Sequence, residues 1–354
     1  LGRLALLGLH CPHRGTDLSY GRLEDGGIRC IYHGWLFDLD GNCLDQPGEP
    51  SVSTFKDKVK QISYPVREQG NLIFAYLGPG EPPLLPAYEA LLVPPEYRFV
   101  WKHYQSCNYL QANEGNIDPV HLSYLHRVNL GEYDDDHSKF LQEGVGGDIA
   151  PSLEVEETDF GLRIFTVRGA PKEQNYLRIT HFIMPSLCAV AGFTGDDGYL
   201  INWHVPIDDH SHWKFFIVFR RTAPLDHQGL ESMWEREFPS ATYLPKRTRV
   251  NRYLQNRDEM STGSFAGMGS FIPNHDIVAT ESSGHIQNRS EEHLGTTDVP
   301  VIQARRMMVK AISAVLEGVD PPHVVRSTSE NQFGHIAVVD KLIDRDQDWK
   351  SYWK

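Results

Sequence analysis

Two short runs, Cys11-Pro-His13 and Cys30-Ile-Tyr-His33, constrain this chain more than anything else in it. Each joins a thiol to an imidazole, and sixteen residues separate them. Together they make a four-ligand set for metal. Structural zinc accepts mixed cysteine and histidine ligands, but its sites usually pair like with like, as in Cys-x-x-Cys and His-x₃₋₅-His. A [2Fe–2S] cluster with both sulfurs on one iron and both imidazoles on the other uses the alternation directly. Glycine lies close behind each histidine, at Gly15 and Gly34, as two loops closing tightly over a buried group require.

The second reading makes Cys11, His13, Cys30 and His33 the ligands of a Rieske-type cluster, with zinc as the alternative. The rest of the chain is large enough to use such a redox centre. Its 354 residues suggest two domains, with 40% apolar and 23% charged residues in a globular balance. A net charge of −13 argues against a nucleic-acid partner and against an anionic membrane surface. No apolar run approaches the ~20 residues of a membrane span. Of five cysteines, the three outside the motif (Cys43, Cys107, Cys188) are scattered and odd in number. That argues against a disulfide framework and for a cytoplasmic location. The first ligand comes only ten residues after Leu1, so native residues are expected to precede this sequence.

Residues 1–98 read as short strands and turns. Ile28–Tyr32 and Trp35–Leu39 are strand-like, with a turn at Asp40-Gly41-Asn42. Gln61–Val66 and Asn71–Leu77 form a hairpin around Glu68-Gln69-Gly70. The Pro/Gly run Gly78–Pro83 marks the boundary, with Leu84–Tyr97 as an approach segment. In the second region, 99–354, the acidic run Glu132–Asp136 and the Gly-rich stretch 144–148 read as solvated loops. Strands are predicted at Ser152–Glu157, Leu162–Arg168, Tyr176–Met184, Tyr199–Ile207 and Trp213–Arg220. Their short connections imply an antiparallel sheet. Helices are predicted at Leu230–Glu237, at Arg247–Arg257 and from Asp298 to Gly318, with a flexible run at Ser261–Ser270 between the last two.

Asp118-Pro-Val-His121-Leu-Ser-Tyr-Leu-His126 puts one carboxylate and two imidazoles in nine residues. Two histidines and a carboxylate with open positions bind the Fe(II) of non-haem oxygenases. His121 and His126 are five apart, about 140° on a regular helix. A π-bulge, or a helix that ends between them, is needed for both to face one metal.

With both motifs in place, the chain resembles the oxygenase (α) subunit of the Rieske non-haem iron aromatic ring-hydroxylating oxygenases. It is similar to the phthalate 4,5-dioxygenase-like branch, which lacks β subunits. Asn108-Tyr-Leu-Gln-Ala, Glu114-Gly115 and Leu125-His126-Arg127 carry this likeness, as do Asp276–Ser282, Arg289–Gly295 and Arg305-Arg306. The resemblance implies an α+β chain. A Rieske [2Fe–2S] β domain (1–98) precedes a helix-grip (START/Bet v1-like) catalytic domain (99–354) with an antiparallel sheet. It also implies that His121, His126 and a downstream aspartate hold the mononuclear iron. Asp276 matches that aspartate, with Glu281 as its rival. His275, His285 and His293 read as solvated or structural. Asp118 takes the place of the family's electron bridge, which reaches a cluster histidine of the neighbouring subunit. That role implies a head-to-tail homotrimer, which this branch also stacks into hexamers. One departure stands out. Where many relatives carry asparagine three residues before the bridge, this chain has Gly115, flanked by Asn113 and Asn116.

The resemblance further implies that O₂ oxidises an aromatic molecule with electrons from a separate NAD(P)H-dependent reductase or ferredoxin. No dinucleotide-binding fingerprint is present in this chain. An aromatic carboxylate would call for a cationic clamp. Arg178 is the first candidate, followed by Arg220 and Arg221, each with a structural ion pair as the alternative. Monooxygenation or O-demethylation of an aryl ether fits the same scaffold. A non-enzymatic Rieske electron carrier would leave the second iron site without a use.

Overall fold

The computed structural model describes residues 2–24, 26–127, 148–192 and 194–353. The acidic run Glu132–Asp136 and most of the stretch 144–148 lie outside the described residues. The chain forms two compact units, Leu1–Leu84 and Leu85–Lys354. The Pro/Gly run Gly78–Pro83 thus closes the first unit. The approach segment, grouped with 1–98 on sequence, packs with the second. There the Ala87 amide donates to Asn331 Oδ1 at 2.8 Å, and buried Tyr88 meets the rings of Trp203 and Phe333.

The first unit is built from small antiparallel sheets. Arg22–Glu24, Gly27–Arg29, Leu36–Phe37 and Cys43–Asp45 form one in that order. Leu6–Leu7 pairs with Ser63–Tyr64. Val66–Gln69 pairs with Leu72–Ala75, a predicted hairpin that starts five residues later than the sequence pattern placed it. Strands this short cannot bury much surface alone, so the core is only a few residues deep. It comprises Cys11, Leu18, Cys30, Trp35, Phe37 and Cys43.

The second unit is organised on one eight-stranded antiparallel sheet. Its strands are β1 (Arg98–Gln105), β2 (Ser152–Glu157), β3 (Gly161–Ala170), β4 (Gln174–Ile183), β5 (Leu187–Val190), β6 (Gly198–Asp208), β7 (Ser211–Arg220) and β8 (Val339–Asp344). The spatial order is β2-β3-β4-β5-β6-β7-β1, and β8 pairs with the N-terminal half of β4. β1 shows how sequence sets the faces. Phe99, Trp101, His103 and Gln105 are buried, while Val100, Lys102 and Tyr104 between them are less so. One face of the sheet packs on helices α1 (Tyr109–Ile117), α2 (His227–Glu237), α3 (Ile272–Ser282) and α4 (Val299–Leu316). Trp101, Phe216, Trp234, Phe238 and Ile277 form one core beneath α2 and α3. Ile117, Ile164, Phe182, Met307 and Ala311 form another beneath α1 and α4.

Two sequence expectations are corrected. The helix predicted at Arg247–Arg257 is instead a series of tight turns. Arg252, Tyr253 and Leu254 take left-handed backbone (φ 52°, 55° and 51°), which brings Tyr253 into the core. The run Ser261–Ser270, expected to be flexible, instead packs inward, with Ser264, Ala266 and Met268 buried. α4 behaves as its sequence predicts. Pro300 lies in its first turn, and Gly318 (φ 74°) terminates it with amide bonds from Gly318 and Val319 back to Val315 and Ala314.

Candidate redox and metal sites

The first unit presents two loops of matching construction. The Cys11 carbonyl accepts from the Gly15 amide at 2.8 Å, and the Cys30 carbonyl accepts from the Gly34 amide at 3.0 Å. Gly15 and Gly34 both take left-handed backbone (φ 78° and 77°), which returns each loop on itself. The result is a sorted set of ligand types. The thiols of Cys11 and Cys30 are buried together in the core of the unit. His13 and His33 stand exposed at the tip, with ring centroids 4.4 Å apart. His13 also stacks on Trp35 at 4.4 Å. Arg29 braces the second loop, donating to the Gly34 carbonyl at 2.5 Å and to Asp45 and Glu24 at 2.8 Å. Two adjacent buried sulfurs with two adjacent exposed imidazoles suit a two-iron cluster that takes one ligand type per iron. Cys43 shares the core but stays apart from this set, its thiol facing the Asp45 carbonyl at 3.6 Å.

The second site begins where α1 ends. Asn108 caps the helix start, its Oδ1 accepting from the Leu110 amide at 3.0 Å. Asp118 ends it, because the residue before Pro119 is driven to extended backbone (φ −90°, ψ 110°). A single 3₁₀ turn, His121–Ser123, follows and stops before His126. The helix-ending alternative therefore holds, and it lets both imidazoles face the same point. His121 Nε2 and His126 Nε2 lie 3.1 Å apart. Asp276, on α3, places Oδ1 3.1 Å from His126 Nε2 and 3.9 Å from His121 Nε2. These three are the one group of metal-ligating side chains that converges this closely among the described residues.

Hydrogen bonds on the far side of each ring fix the tautomers. His121 Nδ1 donates to the Asp118 carbonyl at 2.5 Å. His275 Nε2 donates to the Gly269 carbonyl at 2.8 Å, which leaves its Nδ1 to accept from His126 Nδ1 at 3.3 Å. Both Nε2 atoms face the Asp276 carboxylate, at 3.9 and 3.1 Å from its Oδ1. That is the arrangement of metal-binding imidazoles oriented by outer partners. Burial alone would raise Asp276, but His126, Lys214 and His121 hold it far below the usual carboxylate range. Asp118 is likewise lowered against the effect of burial, by His121 and by the Val120 amide. Its carboxylate opens on a groove of about 170 Å³, which is also lined by Gly115, His121, Asp276 and Thr280.

The rival residues have other partners. Glu281 accepts from the Ser106 amide at 2.8 Å and from the Tyr253 hydroxyl at 2.9 Å. His285 Nδ1 donates to the Ser106 carbonyl at 3.0 Å, and His293 is exposed. Arg178 faces inward as its strand alternation predicts, but its guanidinium lies against the Tyr176 hydroxyl (3.3 Å) and Asp340 (3.9 Å). Arg221 is engaged by Glu89 at 2.7 and 2.8 Å, and Arg220 lies 3.8 Å from Asp197. Sequence reasoning missed a buried polar group on the inner face of β1, β6 and β7: His103, His204, His212 and Lys214. Lys214 Nζ sits 3.7 Å from Asp276 Oδ2.

Comparison with known proteins finds relatives for both units. Residues 2–56 match the Rieske [2Fe–2S] domain, and residues 76–354 match the family described as LigXa C-terminal domain like. The phthalate 4,5-dioxygenase oxygenase subunit of Pseudomonas putida is 32% identical, across 99% of this chain and 81% of that relative. The 5,5'-dehydrodivanillate O-demethylase oxygenase subunit of a Sphingobium species is 30% identical, across 94% and 72%. The oxygenase in the reduced oxygenase–ferredoxin complex of carbazole 1,9a-dioxygenase shares the fold. Its TM-score is 0.55 at 21% identity, covering 86% of this chain and 78% of that one. The chain belongs to the Rieske non-haem iron oxygenases, in the branch that resembles the phthalate 4,5-dioxygenase oxygenase subunit. It is an oxidoreductase, and its cofactors are a Rieske [2Fe–2S] cluster and a mononuclear iron.

Proposed function

We propose that this chain is the terminal oxygenase of a multicomponent system that uses O₂ to hydroxylate an aromatic carboxylate. A separate NAD(P)H-dependent reductase or ferredoxin supplies the electrons. The observation that carries this reading is the convergence of His121, His126 and Asp276, with both outer ring nitrogens already committed to protein acceptors. Cys11 and Cys30 would hold one iron of the cluster, and His13 and His33 the other. When bound, the cluster and the mononuclear iron supply electron transfer and oxygen activation.

The protein's own part is positioning. The Asp118 carbonyl and His275 hold the two imidazoles with Nε2 forward, and α3 brings Asp276 to the third corner. The Asp118 side chain, directly behind His121, would link this site to the cluster of a neighbouring subunit. That role requires a homotrimer or a stacked hexamer. The relative named as an O-demethylase oxygenase subunit supports a second reading, monooxygenation of an aryl ether on the same scaffold.

Oxygen uptake coupled to product tests the reading, using a surrogate reductase and a panel of benzoates, phthalates and aryl ethers. A cis-diol carrying two ¹⁸O atoms from ¹⁸O₂ marks dioxygenation, and a single labelled atom marks the second reading. Iron content should be about three per chain. Two irons, with function retained in His121→Ala, would reduce the protein to an electron carrier.

A further inference from the structure

The inner face of the sheet carries buried polar groups at several levels, Arg168 and Arg178 among them, and on three adjacent strands such groups line up in one row. His204 of β6, Lys214 of β7 and His103 of β1 are directly opposite one another in register. All three are buried, with Lys214 4% exposed and the two histidines 0%. Their hydrogen bonding differs. His204 is fully used: its Nδ1 is hydrogen-bonded to His212 Nε2 at 3.0 Å, and its Nε2 accepts from Asn116 Nδ2 at 3.2 Å. His212 passes the chain on to the Cys107 carbonyl at 2.8 Å. His103 has no hydrogen-bond partner at either nitrogen and is held only by ring stacking on Phe238 and Trp234. Lys214 finds no hydrogen-bond acceptor among the described residues. Its nearest carboxylate oxygen, Asp276 Oδ2, is 3.7 Å away and beyond bonding distance. Facing the sheet from α1, Asn113 is also fully buried with both amide atoms unpartnered. It lies one turn before Ile117, on the side of α1 that packs against β4 and β5.

Buried donors with no acceptor are costly, and a cluster of them points to a ligand that completes them. A cation beside a neutral imidazole selects an anionic oxygen. We infer that Lys214, with His103 beside it, anchors the carboxylate of an aromatic acid next to the His121–His126–Asp276 site. The inference rests on the oxygenase function proposed above and names the residue that selects the substrate's charge. It replaces Arg178, whose guanidinium already donates to the Tyr176 hydroxyl and the Ala191 carbonyl.

The test uses full-length, iron-loaded protein under anaerobic conditions. Calorimetry measures binding of benzoate and phthalate against benzamide, the neutral counterpart, and metal analysis is run alongside. Lys214→Met is expected to weaken binding of the acids by about ten- to a hundredfold. Benzamide affinity and iron content should stay as in the wild type, and Lys214→Arg should restore acid binding. Equal weakening of acid and amide would overturn the inference. So would loss of mononuclear iron in Lys214→Met, which would make Lys214 a positioning partner of Asp276. If Lys214→Met binds and oxygenates the acids normally, the inference falls while the proposed function stands. If the wild type neither binds nor oxygenates any acid of the panel, the proposed substrate class falls with it.

Discussion

The assignment of Asp276 as a metal ligand, with Glu281 as a structural carboxylate, can be tested by exchanging their fates. Both are on α3, five residues apart, so they point about 140° away from each other. Glu281→Ala removes the acceptor of two buried donors, the Ser106 amide and the Tyr253 hydroxyl. Hydrogen bonds to a charged acceptor, with both donors left unmet, amount to about 3–4 kcal/mol. In a domain of this size that lowers Tm by roughly 6–12 °C. Mononuclear iron should be unaffected. Asp276→Ala removes one of three converging ligands. Iron affinity should fall by more than the 10–100-fold that outer-shell partners alone cost, roughly enough to strip the site during gel filtration. Visible absorption of the cluster, held in the other unit, serves as the internal control in both variants. Iron content per cluster and the thermal midpoint are the two readouts. Full mononuclear iron in Asp276→Ala, together with its loss in Glu281→Ala, would refute the reasoning.

Asp118→Asn keeps an Oδ1 for the Val120 amide, so both metal sites should stay filled while turnover is nearly lost; normal turnover would exclude the bridging role. Gly34→Ala should release the cluster more readily than Gly15→Ala. Both glycines have positive φ, about 1–2 kcal/mol unfavourable for alanine, but only at Gly34 would the new Cβ press on Pro47 Cγ, at 3.1 Å. Acid-labile sulfide after purification measures this, and the reverse order would count against the loop argument. Acid should destabilise the fold through its buried histidines. Burial lowers His103 and His204 well below their ordinary value, His212 to about 4 and His181 to about 3. The unfolded chain takes up protons near pH 6.5 while these sites stay neutral, so stability falls as pH drops from there toward 4. Each site contributes just over about 1 kcal/mol per pH unit. His181→Gln, which can keep the bond to the Ala337 carbonyl, should reduce proton uptake on acid unfolding by about one; an unchanged value would contradict the assignment.

Most of what positions the iron site was legible in the sequence, because local rules govern it. Five of the eight sheet strands follow from apolar alternation and turn residues. Asp118-Pro119 encodes the end of α1, and the five-residue spacing of the histidines demands the break that is found. Three strands escaped. β5 has only four residues, and β8 pairs with a strand more than 150 residues away in sequence. β1 sits in the approach to the histidine motif and was not read as a strand. The turns at Arg249–Leu254 look helical by composition. Left-handed backbone there is set by burial of Tyr253 under Glu281, a tertiary constraint that no local pattern reports.

The polar row was hidden for a different reason. His204, Lys214 and His103 come from strands that are far apart in sequence, and each residue alone is an ordinary inward-facing position. The signal exists only after strand register is known. Trp101, His103 and Gln105 alternate with Val100, Lys102 and Tyr104, and His212, Lys214 and Phe216 do the same on β7. An inward cation within such an alternation is a conflict between pattern and residue type, and folded chains keep such conflicts where function needs them. The conflict here falls on three neighbouring strands at one level, beside the Asp276 carboxylate of the candidate iron site. The other inward cations of the sheet, Arg168 and Arg178, donate to protein acceptors, whereas Lys214 finds none among the described residues. The alignment of His204, Lys214 and His103 is what a shared ligand would impose, and it accounts for why the cation stands on β7 while its histidine neighbours differ so sharply in hydrogen bonding.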